Sequence, residues 1–189
     1  PMIVSRELTC CNLPAACIAI GSFDGVHIGH QSLIRQMVDS AHTRGVPAVV
    51  VTFYPQPVVL FKNLKSNFYI SSLEERRDLI EELGADYLLT LPFTYELAAV
   101  SADDFLKMLK EQLGMLELWV GEEFTLGKGR EGTVERITHI GAARGFAVHA
   151  IERVQLDGEI VSSSRIRDAL REGDLLNAER MLGRVFRLE

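Results

Sequence analysis

Two histidines, His27 and His30, stand three residues apart in the run Gly21-Ser22-Phe23-Asp24-Gly25-Val26-His27-Ile28-Gly29-His30. The run follows an apolar stretch and leads into helical spacing, so the pair falls at a helix start. Unpaired backbone N–H groups and the positive end of the helix dipole favour an anion there. Gly29, between the two, lacks a side chain and lets another backbone or a phosphate chain come close. Imidazole N–H groups so placed can follow charge onto a bridging phosphate oxygen. Two histidines at this spacing could instead hold zinc, but no third ligand lies near them in the sequence. The phosphate reading is preferred to a metal pair or to two unrelated surface histidines, and no metal site is assigned.

Three further stretches carry candidate chemistry. Ser162-Ser163-Ser164-Arg165-Ile166-Arg167 places three hydroxyls and two guanidiniums at the start of a short helix. Such donors suit the end of a polyphosphate, although a serine N-cap with solvated arginines gives the same letters. Residues 120–132 follow a buried strand and hold four glycines, consistent with a mobile loop or a plain surface loop. Thr52-Phe53-Tyr54-Pro55-Gln56-Pro57 is a rigid aromatic-proline turn. It could form a pocket for a flat ring or plug the core.

These stretches need elements to hold them. Residues 15–21, 46–53, 86–91, 116–121 and 146–151 read as buried strands. Residues 31–42, 72–83, 101–113 and 133–144 show helical apolar spacing, with Ser72 and Glu75 forming a capping box. Alternating strands and helices, with strands apolar on both faces, predict an α/β fold: a parallel sheet with helices on both faces. Ligands bind such sheets beyond the carboxyl ends of the strands. The loops after Ile20, Phe53, Leu91 and Val120 are therefore the ones to watch. Past Ile151 the pattern changes to a hairpin around Asp157-Gly158 and two short helices, near residues 164–171 and 174–182.

Composition bounds the rest. The 189 residues are 47% hydrophobic and 24% charged, as in a globular chain of one domain. A formal net charge of −6 argues against a nucleic-acid or anionic-membrane partner. No apolar run reaches membrane-spanning length and no secretory signal is visible. Cys10, Cys11 and Cys17 lack metal-ligand spacing and suit reduced thiols in the cytoplasm. Nothing in the sequence sets an oligomeric state.

Taken together and in order, G-S-F-D-G-V-H-I-G-H-Q, T-F-Y-P-Q-P, V-G-E-E-F-T-L-G-K-G-R, S-S-S-R-I-R and L-G-R resemble the FMN adenylyltransferase module of prokaryotic FAD synthetases. The resemblance covers nearly the whole chain, residues 1–189. It implies a Rossmann-like nucleotidyltransferase fold, and a reaction in which ATP and FMN give FAD and pyrophosphate with Mg²⁺ accompanying ATP. On the positions that match, His27 and His30 would stabilise the pentacovalent α-phosphate. Gly29 would lie beneath the nucleotide. Ser163, Ser164 and Arg167 would hold the β- and γ-phosphates, with Arg167 counted beside the histidines as catalytic. Gly21, Ser22, Phe23 and Asp24 would belong to the ATP loop. Phe53, Pro55, Pro57, Glu123 and Leu126 would meet the flavin.

Three positions depart from the family pattern, all on the acceptor side: Glu123 for Asp or Asn, Leu126 for phenylalanine and Gln56 for histidine. Bifunctional members continue past L-G-R into a riboflavin kinase domain, whereas this sequence ends at Glu189. The expectation is therefore an adenylyltransferase without the kinase, either stand-alone or cut from a longer protein. The alternatives are a transferase of the same fold with another phosphorylated acceptor, and a non-catalytic flavin- or nucleotide-binding regulator. Class I aminoacyl-tRNA synthetases share the H-I-G-H segment, but no K-M-S-K-S run or tRNA-sized basic surface is present.

Overall fold

The computed structural model describes residues 1–65 and 68–188; Ser66, Asn67 and the final Glu189 lie outside the described residues. The chain opens with a three-residue strand, β1 (Ile3–Ser5), and then β2 (Ala16–Ile20) and α1 (Ile28–Thr43). Next come β3 (Ala48–Phe53), α2 (Pro57–Lys62), α3 (Leu73–Glu82) and β4 (Tyr87–Leu91). They are followed by α4 (Tyr95–Ala98), α5 (Ala102–Leu113), β5 (Met115–Gly121), α6 (Val134–Arg144) and β6 (Ala147–Ile151). A hairpin, β7 (Gln155–Leu156) with β8 (Glu159–Ile160), leads to α7 (Ser163–Arg171) and α8 (Leu175–Leu182).

The main sheet is parallel throughout and runs β1-β4-β3-β2-β5-β6. The chain thus starts at one edge with β1, moves to the middle with β2, winds back toward that edge through β3 and β4, and then crosses to β5 and β6 on the other side. The winding reverses between β2 and β5, and ligands of doubly wound sheets collect above that reversal.

Side-chain alternation along the strands feeds two cores. Ile18, Ile20, Val49, Val51 and Leu118 face α5 and α6, where Leu106, Leu109, Leu113 and Ile137 are fully buried. Cys17, Ala19, Ala48 and Val50 face the other way, onto Ile34, Met37 and Ala41 of α1 and Ile80 of α3. Burial of each Val, Leu, Ile or Met side chain among these contributes about 1.5–3 kcal/mol. A third cluster, with Ile166, Ala178, Met181 and Leu182, lies inside the α7–α8 pair.

That pair is fastened to the loop between β2 and α1. Gln31 Nε2 donates to the Val26 and Leu182 carbonyls, both at 2.9 Å, and Arg184 Nη1 donates to the Gly25 carbonyl at 2.7 Å. Arg184 also pairs with Glu75 of α3 at 3.1 Å.

The alternation of strand and helix matches the sequence reading, with four differences. β1 adds a sixth strand that its exposed, three-residue length concealed. α1 starts at Ile28, a turn earlier than expected. β3 ends at Phe53, before the prolines, as expected, but an unexpected helix, α2, follows, with Pro57 in its first turn, where a missing N–H costs nothing. β6, expected to be buried on both faces, is an edge strand with only intermediate or exposed residues. The hairpin agrees with expectation, with Asp157 at φ 52° and Gly158 at φ 79°. Among the described residues no helix is long and apolar enough to cross a membrane.

Candidate active site

Above the reversal, at the carboxyl ends of β2 and β5, lies a cleft of about 270 Å³. Gly21, Ser22, Phe23, His27, Gly29 and His30 form one wall, Gly121 to Phe124 and Arg153 the other, and Ser162 and Ser163 an end.

His27 is the N-cap of α1. Its Nδ1 accepts the backbone N–H groups of Gly29 at 3.1 Å and His30 at 3.2 Å. An atom that accepts two N–H groups carries no proton, so neutral His27 holds its proton on Nε2. This cap is why the helix starts early; histidine is not a usual capping residue, so no capping pattern marked the position. Gly29 has a sharper role than an open approach: a Cβ there would stand 2.9 Å from His27 Cε1 and 3.1 Å from Nδ1. The glycine makes room for the capping ring.

His30 stacks on His27, with centroids 3.6 Å apart and planes 14° from parallel. The Phe23 ring meets His30 edge-on at 5.3 Å. His30 lines the cleft, and its Nδ1 is buried without a hydrogen-bond partner among the described residues. Burial lowers the His27 pKa from 6.5 to about 4, with the residue's own backbone and the Asp24 charge opposing that shift. Burial also takes His30 well below its usual value, helped by the charges of His27 and Arg76. Both imidazoles are therefore neutral at pH 7. The loop holding them is strained: Phe23 and Val26 adopt φ 48° and 42°, left-handed values that are costly for side chains of their kind.

Asp24 lies behind this wall rather than in it. Its carboxylate is wholly buried and accepts N–H groups from Ile70 at 3.0 Å and Ser71 at 3.2 Å. Arg167 Nη2 donates to it at 2.8 Å. Arg167 Nε donates to the Phe68 carbonyl at 3.1 Å, and its guanidinium lies 3.8 Å from the Phe68 ring centroid. Asp24 and Arg167 thus line neither cavity described here; they grip each other. Ser162 caps α7 by accepting the Arg165 N–H, and Ser163 Oγ donates to the Asp24 carbonyl at 3.1 Å. Ser164 is exposed and points away from the cleft.

A second cavity, of about 540 Å³, adjoins the first and shares Gly21, Ser22 and Phe124 with it. Phe53, Pro57, Val58, Phe61, Phe93 and Leu126 make it apolar and aromatic. Phe53, Pro57 and Leu126 are thus brought together here, but Pro55 is not, and Glu123 lines the histidine cleft instead. Glu123 and Glu122 pair there with Arg153, at 3.0 and 3.3 Å. Gln56 faces neither cavity: it is buried, its Nε2 donating to the Ser22 carbonyl at 3.4 Å. Its departure from the family histidine therefore leaves the aromatic lining untouched.

The glycine-rich stretch after β5 is pinned, not loose. Leu126 and Gly132 exchange backbone hydrogen bonds at 3.0 and 2.8 Å, and Glu131 accepts the Ala102 N–H. Gly127, at φ 83°, lies where a Cβ would stand 2.5 Å from Ala102 N. Its glycines serve close packing and turning.

The aromatic lining from α2 and the segment after β4 (Phe61 and Phe93), the Glu122–Arg153 pair and the buried Arg76 were missed in the sequence. Phe61 and Phe93 sit in short segments without periodicity. Arg76 had a usable signal: it falls on the Ile80 and Leu83 side of α3, the apolar side.

Sheet order, reversal-point cleft and stacked imidazoles at a helix start define an α/β fold of Rossmann-like build. The family model described as FAD synthetase matches residues 11–165, and the chain belongs to that family. A bifunctional riboflavin kinase/FMN adenylyltransferase of Pseudomonas fluorescens is 39% identical over 91% of this chain and 56% of its own length. One of Escherichia coli is 34% identical over 89% and 54%. The chain thus spans little more than half the length of these relatives. A relative from Geobacillus thermodenitrificans, 34% identical, matches over 90% of this chain and 91% of its own length. A Streptococcus pneumoniae crystal structure described as a macrolide-efflux protein superposes with a TM-score of 0.85 at 24% identity, over 98% of this chain and 60% of its own. That likeness concerns the fold alone.

Proposed function

We propose that residues 1–189 form one adenylyltransferase domain that moves AMP from ATP to FMN, giving FAD and pyrophosphate. The observation that carries this reading is the junction of the two cavities. A polar cleft lined by the two stacked imidazoles opens at Gly21, Ser22 and Phe124 into an aromatic cavity large enough for a tricyclic ring.

The FMN phosphate attacks the α-phosphorus of ATP in line, its oxygen forms the new P–O bond, and pyrophosphate leaves with the old one. No side-chain nucleophile is required. His27 and His30, neutral and lining the cleft, donate to phosphate oxygens as charge builds on them. Their stacking and the cap on α1 fix the rings before the substrates arrive. Ser162 and Ser163 stand at the end of the cleft where the leaving diphosphate would lie, and Arg167 is one helical turn from Ser163.

Among the described residues there is no cluster of three metal-ligating side chains. That donor set does not fit a protein-built magnesium cage, so Mg²⁺ would be held chiefly by phosphate oxygens of ATP. The free cysteines and the negative net charge support a reducing cytoplasmic setting and small-molecule partners rather than nucleic acid.

The test is incubation with ATP, Mg²⁺ and candidate acceptors, with chromatography of the products. FMN should yield FAD and pyrophosphate in equal amounts. Adenylation of phosphopantetheine or nicotinamide mononucleotide in place of FMN would assign another acceptor. Absence of pyrophosphate with every acceptor would make the chain a binder.

A further inference from the structure

Behind the histidine wall, one carboxylate faces two arginines. Asp24 is bonded to Arg167, while Arg76 Nη2 stands 3.6 Å from its other oxygen, at ion-pair distance but without a hydrogen bond. Arg76 is 1% exposed, and none of its three side-chain nitrogens bonds to any described residue. The Tyr69 ring, 5.7 Å away, offers only its face. A buried guanidinium with unmet donors is expensive. It is tolerated where another arrangement of the same groups satisfies it.

That arrangement is at hand. Arg167 Nη2 donates to Asp24 Oδ2, and Arg76 Nη2 stands 3.6 Å from Oδ1 of the same carboxylate; if Arg167 withdrew, Oδ2 would lose a donor and Arg76 would be the guanidinium left beside the carboxylate. Arg167 lies four residues after Ser163, on the same face of α7, and Ser163 lines the cleft. With both arginines present the trio carries one surplus positive charge, so one guanidinium can leave without stranding a buried carboxylate. With Arg76 gone, it could not.

We propose that Arg76 is a positioning residue that takes over Asp24 and so releases Arg167 to the polyphosphate of the nucleotide. This deepens the adenylyl-transfer reading and rests on it for the role of Arg167. The exchange conserves hydrogen bonds to Asp24: one donor leaves the carboxylate and one arrives. Phe68 stacks on Arg167 only while it is docked, so it opposes release.

The experiment is calorimetric binding of ATP with Mg²⁺, and separately of pyrophosphate, to the full chain, alongside FAD formation. Arg76→Met should weaken both ligands by tenfold or more, with Arg76→Lys recovering much of the loss. Phe68→Ala should tighten both by about threefold, the scale of one cation–π contact. This variant lies outside both cavities, and it decides the matter if Arg76→Met does not fold. A folded Arg76→Met that binds like wild type, or a Phe68→Ala that fails to bind more tightly, overturns the proposal. Binding that follows the expected pattern while no FAD forms would sink the acceptor assignment and leave the exchange standing.

Discussion

The two adjoining cavities are built on opposite plans. The histidine cleft is made by hydrogen bonds: a ring caps its own helix, a second ring stacks on the first, and ion pairs brace both from behind. The aromatic cavity is made by packing, with Phe53, Phe93 and Phe61 edge to face at 5.6 and 5.9 Å. Small displacements should therefore damage the first through chemistry and the second through affinity. A polar donor lost or misaligned removes transition-state stabilisation, whereas a trimmed aromatic removes buried area and leaves the reacting atoms in place.

The largest test of this contrast is His27→Ala or His30→Ala. Each should lower kcat by roughly a hundredfold or more, the usual cost of a lost oxyanion-type donor. Near-wild-type turnover in both, at saturating ATP and FMN, would remove the histidines from the mechanism.

The same wall should govern acid sensitivity. His27 titrates near 6.5 when unfolded and at about 4 when folded, so protonation favours the unfolded chain. Its contribution is complete above pH 6.5 and is lost as the pH falls toward 4, on the order of 3 kcal/mol in all. Urea midpoints measured across that window should fall for wild type and much less for a folded His27→Gln. The rate itself should show no inflection near pH 6.5 from these rings.

On the apolar side, Phe93→Ala should raise the FMN KM about tenfold through lost burial while leaving the ATP KM alone. Equal rises in both would show that the cavities are not separable. The smallest effect sharpens the geometry of the cleft. Gly29→Ala presses a methyl on the His27 ring and should lower kcat roughly fivefold by tilting the donor, with FMN affinity unchanged.

The contrast also explains what the letters disclosed. The cleft was legible because its chemistry is carried by a compact run after a buried strand, and the strands announced themselves by apolar continuity. Gly29 was legible as necessary, and the structure adds a second reason, the neighbouring His27 ring that a Cβ would crowd. The aromatic cavity was half legible: Phe53, Pro57 and Leu126 lie in recognisable stretches, whereas Phe61 and Phe93 come together only through folding. Asp24 read as a loop residue near phosphate, and Arg167 as a phosphate clamp. Their mutual grip joins positions 143 residues apart, which no local pattern encodes. β1 escaped because three half-exposed residues have no periodicity to measure.

Arg184 reaches the Gly25 carbonyl from beyond the last helix, and Gln31 holds Leu182 from inside the first. The strained turn that carries the imidazoles is thus braced by the tail of the chain. Loss of the Arg184 and Gln31 contacts should loosen that turn while circular dichroism still reports an intact sheet. A fragment trimmed at residue 165, where the family match stops, would keep every histidine and lose their brace.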